Sequence, residues 1–335
     1  MKILLTLDYE LFLGKETGSI DRCLIQPMSL LSDALISNGG RFTIFVDATY
    51  LLRLRQLGPK FPKLEDDYNR LIDHIHSLKS QGHDIQLHIH PHWAFSDYEN
   101  GSWTTDLSHY KLNDLTTSEA IQLTKDAKEL LDDIIGKKTI VFRAGGFSAQ
   151  PTHLLTEIFD ATGIVADSSV IPGSYYNSFQ QEYDYRKAPD KKSIYRFEGD
   201  ICVESPHGRY TEIPISMFNV SPLFHWGLVI NRFAKQQKHV GYGDGVSVKT
   251  TKDSIMKRLL WWQNCHTTID GYKINFLKKA YSKAKKSGND ALTVLGHPKL
   301  ATPYSIEKVG DFAKEVVGNG DKFLTISDYL NEQNS

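Results

Sequence analysis

Apolar residues recur along this chain with two different periods. Met1 to Leu7 is a short run rich in Ile and Leu, ended by Asp8, and it predicts a buried strand. Ser29 to Ser37 repeats its apolar residues at helical spacing and stops at Asn38-Gly39-Gly40. Phe42 to Val46 is β-branched and aromatic, a second strand. Leu71 to Gln81 predicts a helix closed by Gly82, and Asp84 to His90 alternates apolar and polar residues as a strand does. A helix over Ser118 to Ile135, a strand over Thr139 to Phe142, a helix over Leu154 to Ala161 and a strand opening at Gly163 to Ala166 complete the first half. Strand–helix–strand repeats of this kind imply a parallel sheet with right-handed crossovers. A barrel and an open doubly wound sheet both satisfy the pattern. No glycine-rich phosphate loop follows the first strand, which counts against a nucleotide-binding open sheet.

The middle of the chain, Ile171 to Val248, reads differently. It is rich in Tyr, Gly, Ser and Pro, and helical periodicity is weak before Leu223. It is expected to be an insertion of loops and short strands, with Glu212 to Met217 returning to the core. Beyond it come helices over Ser254 to Cys265 and Tyr272 to Ser287, and a strand over Ala291 to Leu295. A helix over Ser305 to Val317 and a last strand near Phe323-Leu324-Thr325 follow. No internal repeat or linker interrupts the sequence, so residues 1–335 are expected to be one domain with elaborations.

Composition narrows the function. The 335 residues are 40% hydrophobic and 24% charged, with 39 basic and 40 acidic side chains, an ordinary globular balance. A formal net charge of -1 favours neither nucleic acid nor an anionic membrane surface as a partner. Cys23, Cys202 and Cys265 are odd in number and lack the paired spacing of a thiolate zinc site. The apolar run at the N-terminus is too short for a secretory signal, and no segment is long enough to insert across a bilayer. A cytoplasmic enzyme is the expectation.

The chemistry gathers at the ends of the strands. His88-Ile89-His90-Pro91-His92 places three histidines in five residues. His88 and His90 share a strand face, and Pro91 leaves His92 on the following loop. Two imidazoles and a carboxylate around an open position form a recurring catalytic zinc arrangement. Asp8 and Glu10, two residues apart, end the first strand. An acid there needs a partner, because burying a lone carboxylate costs several kcal/mol. Arg143 ends another strand, and its planar guanidinium could hold a carboxylate. Gly145 and Gly146 after it would let the backbone approach a ligand. His297 follows the late strand and could act as a general acid, with Asp167 able to orient it. Trp93, Trp103, Tyr175, Tyr176 and Trp226 could stack on a sugar ring; Trp261-Trp262 falls in a helix and reads as packing.

Taken in order, these pieces resemble the polysaccharide deacetylase superfamily. Thr6 to Glu10 is similar to the family's acidic motif, and His88 with His92 to its His-x-x-x-His motif. Phe142 to Phe147 is similar to its arginine motif, and Leu295-Gly296-His297 to its late Leu-x-His motif. The likeness covers residues 1–170 well and 290–330 fairly. It implies an incomplete seven-stranded (β/α) barrel and one divalent ion, zinc foremost, held by an acid with His88 and His92. It also implies a second acid as general base, oriented by Arg143, and His297 as general acid. Gly145, Gly146, Phe147, Trp93 and Asp167 would contact the substrate.

The chain departs from the family in two places. Tyr9 stands where the family has a second aspartate, so Asp8 as base with Glu10 as ligand and the reverse assignment both remain open. Gly145-Gly146-Phe147 replaces the family's Pro-Tyr pair. The resemblance therefore implies metal-dependent removal of an N-acyl group, acetyl foremost, from a sugar or polysaccharide precursor, with surface-polysaccharide assembly a fitting context. Two other readings compete. His88-Ile89-His90 has the His-x-His form of barrel amidohydrolases that open cyclic amides, and a degenerate barrel that only binds carbohydrate would also carry these motifs.

Overall fold

The computed structural model describes residues 1–14, 16–234, 236–246 and 252–334. Along the chain, strand β1 (Lys2–Tyr9) leads to α1 (Gln26–Ile36), β2 (Phe42–Asp47), α2 (Ala48–Leu57) and α3 (Pro62–Ser80). Then come β3 (Asp84–Ile89), α4 (Thr117–Ile135), β4 (Val141–Ala144), α5 (Thr152–Thr162) and β5 (Ala166–Asp167). The middle holds β6 (Tyr195–Phe197), β7 (Tyr210–Glu212), β8 (Met217–Val220) and α6 (Pro222–Ala234). The last part runs through α7 (Lys252–Leu260), β9 (Gln263–His266), α8 (Leu277–Lys286) and β10 (Ala291–Val294). It closes with α9 (Pro303–Gly318), β11 (Lys322–Phe323) and α10 (Ile326–Asn334).

Most expected elements are present, with shifted ends. The helix expected from Leu71 begins at Pro62, whose fixed φ suits a first helical turn. α4 opens on a capping box, Thr116 with Glu119, and ends on Gly136 in the left-handed conformation. The sequence does not mark α2, whose apolar residues lie on almost every side. The expected helix over Ser254 to Cys265 instead breaks at Leu260, and Gln263–His266 becomes a strand. After β7 the chain leaves regular strand pairing, and Ile213 is held by its N–H to the Asp167 carbonyl and by the Ser168 hydroxyl donating to its own carbonyl. Residues 247 and 248 of the expected insertion lie outside the described residues.

The chain forms two compact units, Thr43–Ile215 with Thr325–Ser335, and Met1–Phe42 with Ser216–Leu324. In the first, strands run in the order β6-β7-β5-β4-β3-β2. All neighbours are parallel except β6 with β7. Every residue of β2, β3 and β4 is buried, as expected for parallel strands covered on both faces. The register sets Asp47 opposite His88 and His88 opposite Arg143. Three polar side chains thus stand level at the C-terminal ends of adjacent strands, where parallel sheets build their sites.

In the second unit β1 lies between β10 and β11, parallel to both. Its first strand continues past the expected end at Leu7, because the Asp8 N–H donates to the Gly296 carbonyl at 2.9 Å. That bond brings the acidic segment beside the chain just before His297. β8 and β9 form an antiparallel ribbon, and a parallel bridge joins Thr268 to Leu295.

Candidate functional site

The unit containing β1 holds the acids and the late histidine. Asp8 and Glu10 are both buried. The Nε2 of His297 lies 3.7 Å from an Asp8 carboxylate oxygen and 3.8 Å from one of Glu10. The other side of the ring belongs to Asp270, which accepts from Nδ1–H at 3.0 Å and from the His297 backbone N–H at 2.8 Å. Burial pushes the imidazolium of His297 down, but the carboxylates of Asp270, Asp8 and Glu10 outweigh it and hold the group above its ordinary value. Burial likewise pushes Asp270 up, and the His297 charge and hydrogen bonds carry it below the ordinary carboxylate range. The Lys299 ammonium donates to Glu10 at 2.8 Å and to the Leu11 carbonyl at 2.7 Å.

Asp270 therefore makes the contact to His297 that was expected of Asp167. The sequence carried a signal for it: Thr267-Thr268-Ile269-Asp270 is a β-branched run ended by an acid, the same signature as Leu7-Asp8. Lys299 was missed as well, since a lysine after a loop proline resembles ordinary surface.

The other unit holds the histidines. His88, His90 and His92 are all buried at the end of β3. His88 Nδ1 meets the Arg143 carbonyl at 2.8 Å, which leaves Nε2 as the nitrogen with the lone pair. Ligand nitrogens of His88 and His90 lie within 4.8 Å of one another, and their rings meet edge to face with centroids 4.7 Å apart. The ring of His92, the expected partner of His88, stacks on Tyr110 with ring centroids 5.6 Å apart. Thr49 fixes the backbone here, donating to the His90 carbonyl and accepting from its N–H, both at 3.0 Å.

Trp93 is fully buried against Tyr50, Trp103 and His92. It supports the histidine segment from behind and offers no face to a sugar, a correction to its expected role as a stacking platform. Tyr175, Tyr176 and Trp226 do stand exposed.

Arg143 is fully buried over the Phe45 ring, 4.1 Å from its centroid. Its Nε donates to the Ser168 carbonyl at 2.7 Å and Nη2 to the Ser168 hydroxyl at 2.9 Å. Two more buried acids lie nearby. Asp167 accepts from the Ser169 N–H at 2.7 Å and its hydroxyl at 2.9 Å, and Glu212 accepts from the Val170 N–H at 3.1 Å. Burial pushes Asp167 up against its hydrogen bonds and the Arg143 charge, and burial with the Asp167 charge pushes Glu212 well up. Both shifts run toward the neutral acid, because two buried like charges side by side are costly. Asp167 is thus a structural partner of Glu212, which sequence reasoning placed in the core but gave no role.

Gly145 is required by space. A Cβ there would lie 2.6 Å from both His90 Nδ1 and the Ile89 carbonyl. Gly146 and Phe147 both adopt positive φ, 58° and 60°, a strained state for Phe, and the Tyr185 hydroxyl holds the turn by donating to the Phe147 carbonyl at 2.6 Å. Gly145→Ala is expected to cost about 1–3 kcal/mol through overpacking, measured by urea unfolding, and to displace the His90 ring signals in an NMR spectrum.

No family model and no curated protein matches the chain. Solved structures do. A protein from Mycobacterium smegmatis provisionally assigned as a polysaccharide deacetylase is 15% identical, with 99% of this chain and 89% of that one covered at a TM-score of 0.52. A 4-alpha-glucanotransferase from Thermococcus litoralis is 12% identical at a TM-score of 0.52, covering 99% of this chain and 40% of that one. A GH57 branching enzyme from Thermococcus kodakaraensis is 12% identical, covering 99% of this chain and 71% of that one, at a TM-score of 0.51. At such identities the likeness is one of fold. The chain has the incomplete (β/α) barrel fold of the polysaccharide deacetylases, in a divergent sequence.

Proposed function

We propose that this chain is a metal-dependent hydrolase that removes an N-acyl group, acetyl foremost, from a sugar or a polysaccharide precursor. The observation that carries the reading is the His297–Asp270 pair set against the two buried acids of the first strand. A hydrogen-bonded imidazole held above its ordinary pKa suits protonation of a departing amine. A fold shared with glucan-processing enzymes leaves the reaction open, and the histidines favour amide over glycoside cleavage. Glycoside hydrolysis needs two carboxylates; it has no use for three buried histidines at one strand end.

The donor set fits a divalent ion. His88, with its tautomer fixed by the Arg143 carbonyl, and a second histidine would hold it with one acid of the first strand, and borderline nitrogen and oxygen donors suit zinc. Such an ion would supply Lewis-acid polarisation of the acyl carbonyl and of a water. In this assignment Glu10 is the ligand and Asp8 the base, taking the proton of the attacking water. The turn at Gly145 would present backbone N–H groups to the developing oxyanion. His297 would then give its proton to the amine, with Asp270 holding the ring.

The nearness of His88 and His90 favours one second reading, a cyclic amidohydrolase of the His-x-His kind. Elemental analysis of the purified wild type beside His88→Ala, His90→Ala and His92→Ala separates the two. About one ion per chain, lost with His88 and His92, is the result expected of the deacetylase. Loss with His88 and His90 and retention in His92→Ala selects the amidohydrolase. Absence of any ion after dialysis against zinc removes the hydrolytic mechanism and leaves a carbohydrate-binding barrel.

A further inference from the structure

The near-neutral charge of the whole chain hides a local excess. Residues 222–262 carry seven Lys and Arg against two Asp. Within that stretch α6 is apolar on two opposite faces. Phe224, Gly227, Leu228 and Asn231, at helical spacing, face inward. Phe224 packs against Tyr272 and Phe276 with ring centroids 5.6 and 5.3 Å apart, and a Cβ on Gly227 would meet the Tyr272 hydroxyl at 2.9 Å. Leu228 and Asn231 line a pocket of about 750 Å³ whose wall also includes Asp270 and Lys299.

The other face is Leu223, Trp226, Ile230 and Phe233, which are 80%, 47%, 65% and 82% exposed. A surface helix ordinarily turns polar residues outward; this one turns four large apolar side chains outward. Next to it, Trp261 and Trp262 were expected to be packing residues. They are 60% and 63% exposed, just past the end of α7, and the Trp226 indole N–H ties the two helices by donating to the Leu259 carbonyl at 3.1 Å.

We propose that α6 and residues 256–262 form a docking surface for an anionic lipid bilayer. Charge complementarity selects this occupant. Lys257 and Arg258, exposed on α7, meet anionic headgroups, and aromatic residues beside basic ones are the composition that settles at a membrane interface. A two-fold contact between copies of the chain would set Lys257 and Arg258 against their own counterparts. No helix among the described residues is long and apolar enough to cross a membrane, so the contact is peripheral. The inference does not depend on the proposed reaction. If both hold, the pocket that Asp270 and Lys299 line is walled by a helix resting on lipid, and a sugar carried on a membrane lipid becomes the substrate class.

The full chain would be spun with sucrose-loaded vesicles of pure phosphatidylcholine and of phosphatidylcholine with phosphatidylglycerol, at low and high salt. Anionic vesicles are expected to pellet at least about tenfold more protein at low salt, with a blue shift of tryptophan fluorescence. The double variant Ile230→Ser, Phe233→Ser is expected to lose that binding while keeping its melting temperature. Lys257→Glu with Arg258→Glu, at exposed polar positions, is expected to remove the preference for anionic vesicles, giving a reading independent of the first variant. Protein that stays in the supernatant with both vesicle types overturns the proposal. So does a concentration-dependent dimer, abolished by Ile230→Ser with Phe233→Ser and indifferent to vesicles, which would give the face to a second copy. Metal content and acyl-sugar hydrolysis, measured without vesicles, test the proposed reaction separately.

Discussion

Replacing His297 by Gln lowers kcat for acyl-sugar hydrolysis by about a hundred- to ten-thousand-fold, the worth of a general acid in place, with KM little changed. The argument is geometric. His297 presents Nε2 to Asp8 and Glu10 at 3.7 and 3.8 Å, and Asp270 grips both its ring and its backbone N–H. Asp270→Asn keeps that shape and removes the charge. It is expected to cost less than His297→Gln and to act on the pH profile. A general acid must be protonated, so activity falls as pH rises through the pKa of His297. The Asp270 carboxylate raises that pKa, and its removal moves the alkaline limb of kcat to lower pH. A kcat that falls with an unmoved limb would reduce Asp270 to packing.

The second large effect concerns stability. Arg143→Met is expected to destabilise the chain by about 3–5 kcal/mol, as breaking one side of a buried charge cluster does, measured by urea unfolding at neutral pH. The guanidinium is fully buried, and the Asp167–Glu212 pair beside it loses its nearest counter-charge. Glu212→Gln is the opposite case. The amide still donates to Asp167, so the cost at neutral pH is about 1 kcal/mol or less. Its effect on pH dependence has a definite sign. Glu212 is held well above its ordinary value in the folded chain, so the native state keeps a proton that the unfolded chain releases. Wild-type stability therefore declines as pH rises from the ordinary carboxylate range toward the raised value. The Gln variant lacks that decline, and its stability curve is flatter on the alkaline side. Equal slopes for the two proteins would contradict a raised Glu212.

The strand ends were legible in the sequence because each one couples a β-branched or aliphatic run to a polar stop. Leu7-Asp8, Ile89-His90 and Phe142-Arg143 all lie within two residues of an observed strand end, β1 and β4 running two residues further than expected. Partners across sequence distance were not legible. Asp270 was passed over because nothing local links it to His297, 27 residues on. Trp93 looked like a sugar platform because an aromatic after a histidine motif reads the same whether it faces solvent or packs behind the turn. The choice between His90 and His92 depends on how Pro91 turns the chain, and spacing alone does not encode that. Trp261 and Trp262 misled in the opposite direction: two adjacent tryptophans in a helical stretch read as packing, and both face outward.

Strand β1 pairs with β10 in the register Lys2 with Ala291. The pairing joins positions nearly three hundred residues apart, and contacts this distant form slowly. The bond from the Asp8 N–H to the Gly296 carbonyl and the approach of His297 to Asp8 both depend on it. The β1–β10 pairing is therefore a late folding step on which the acid–histidine geometry waits.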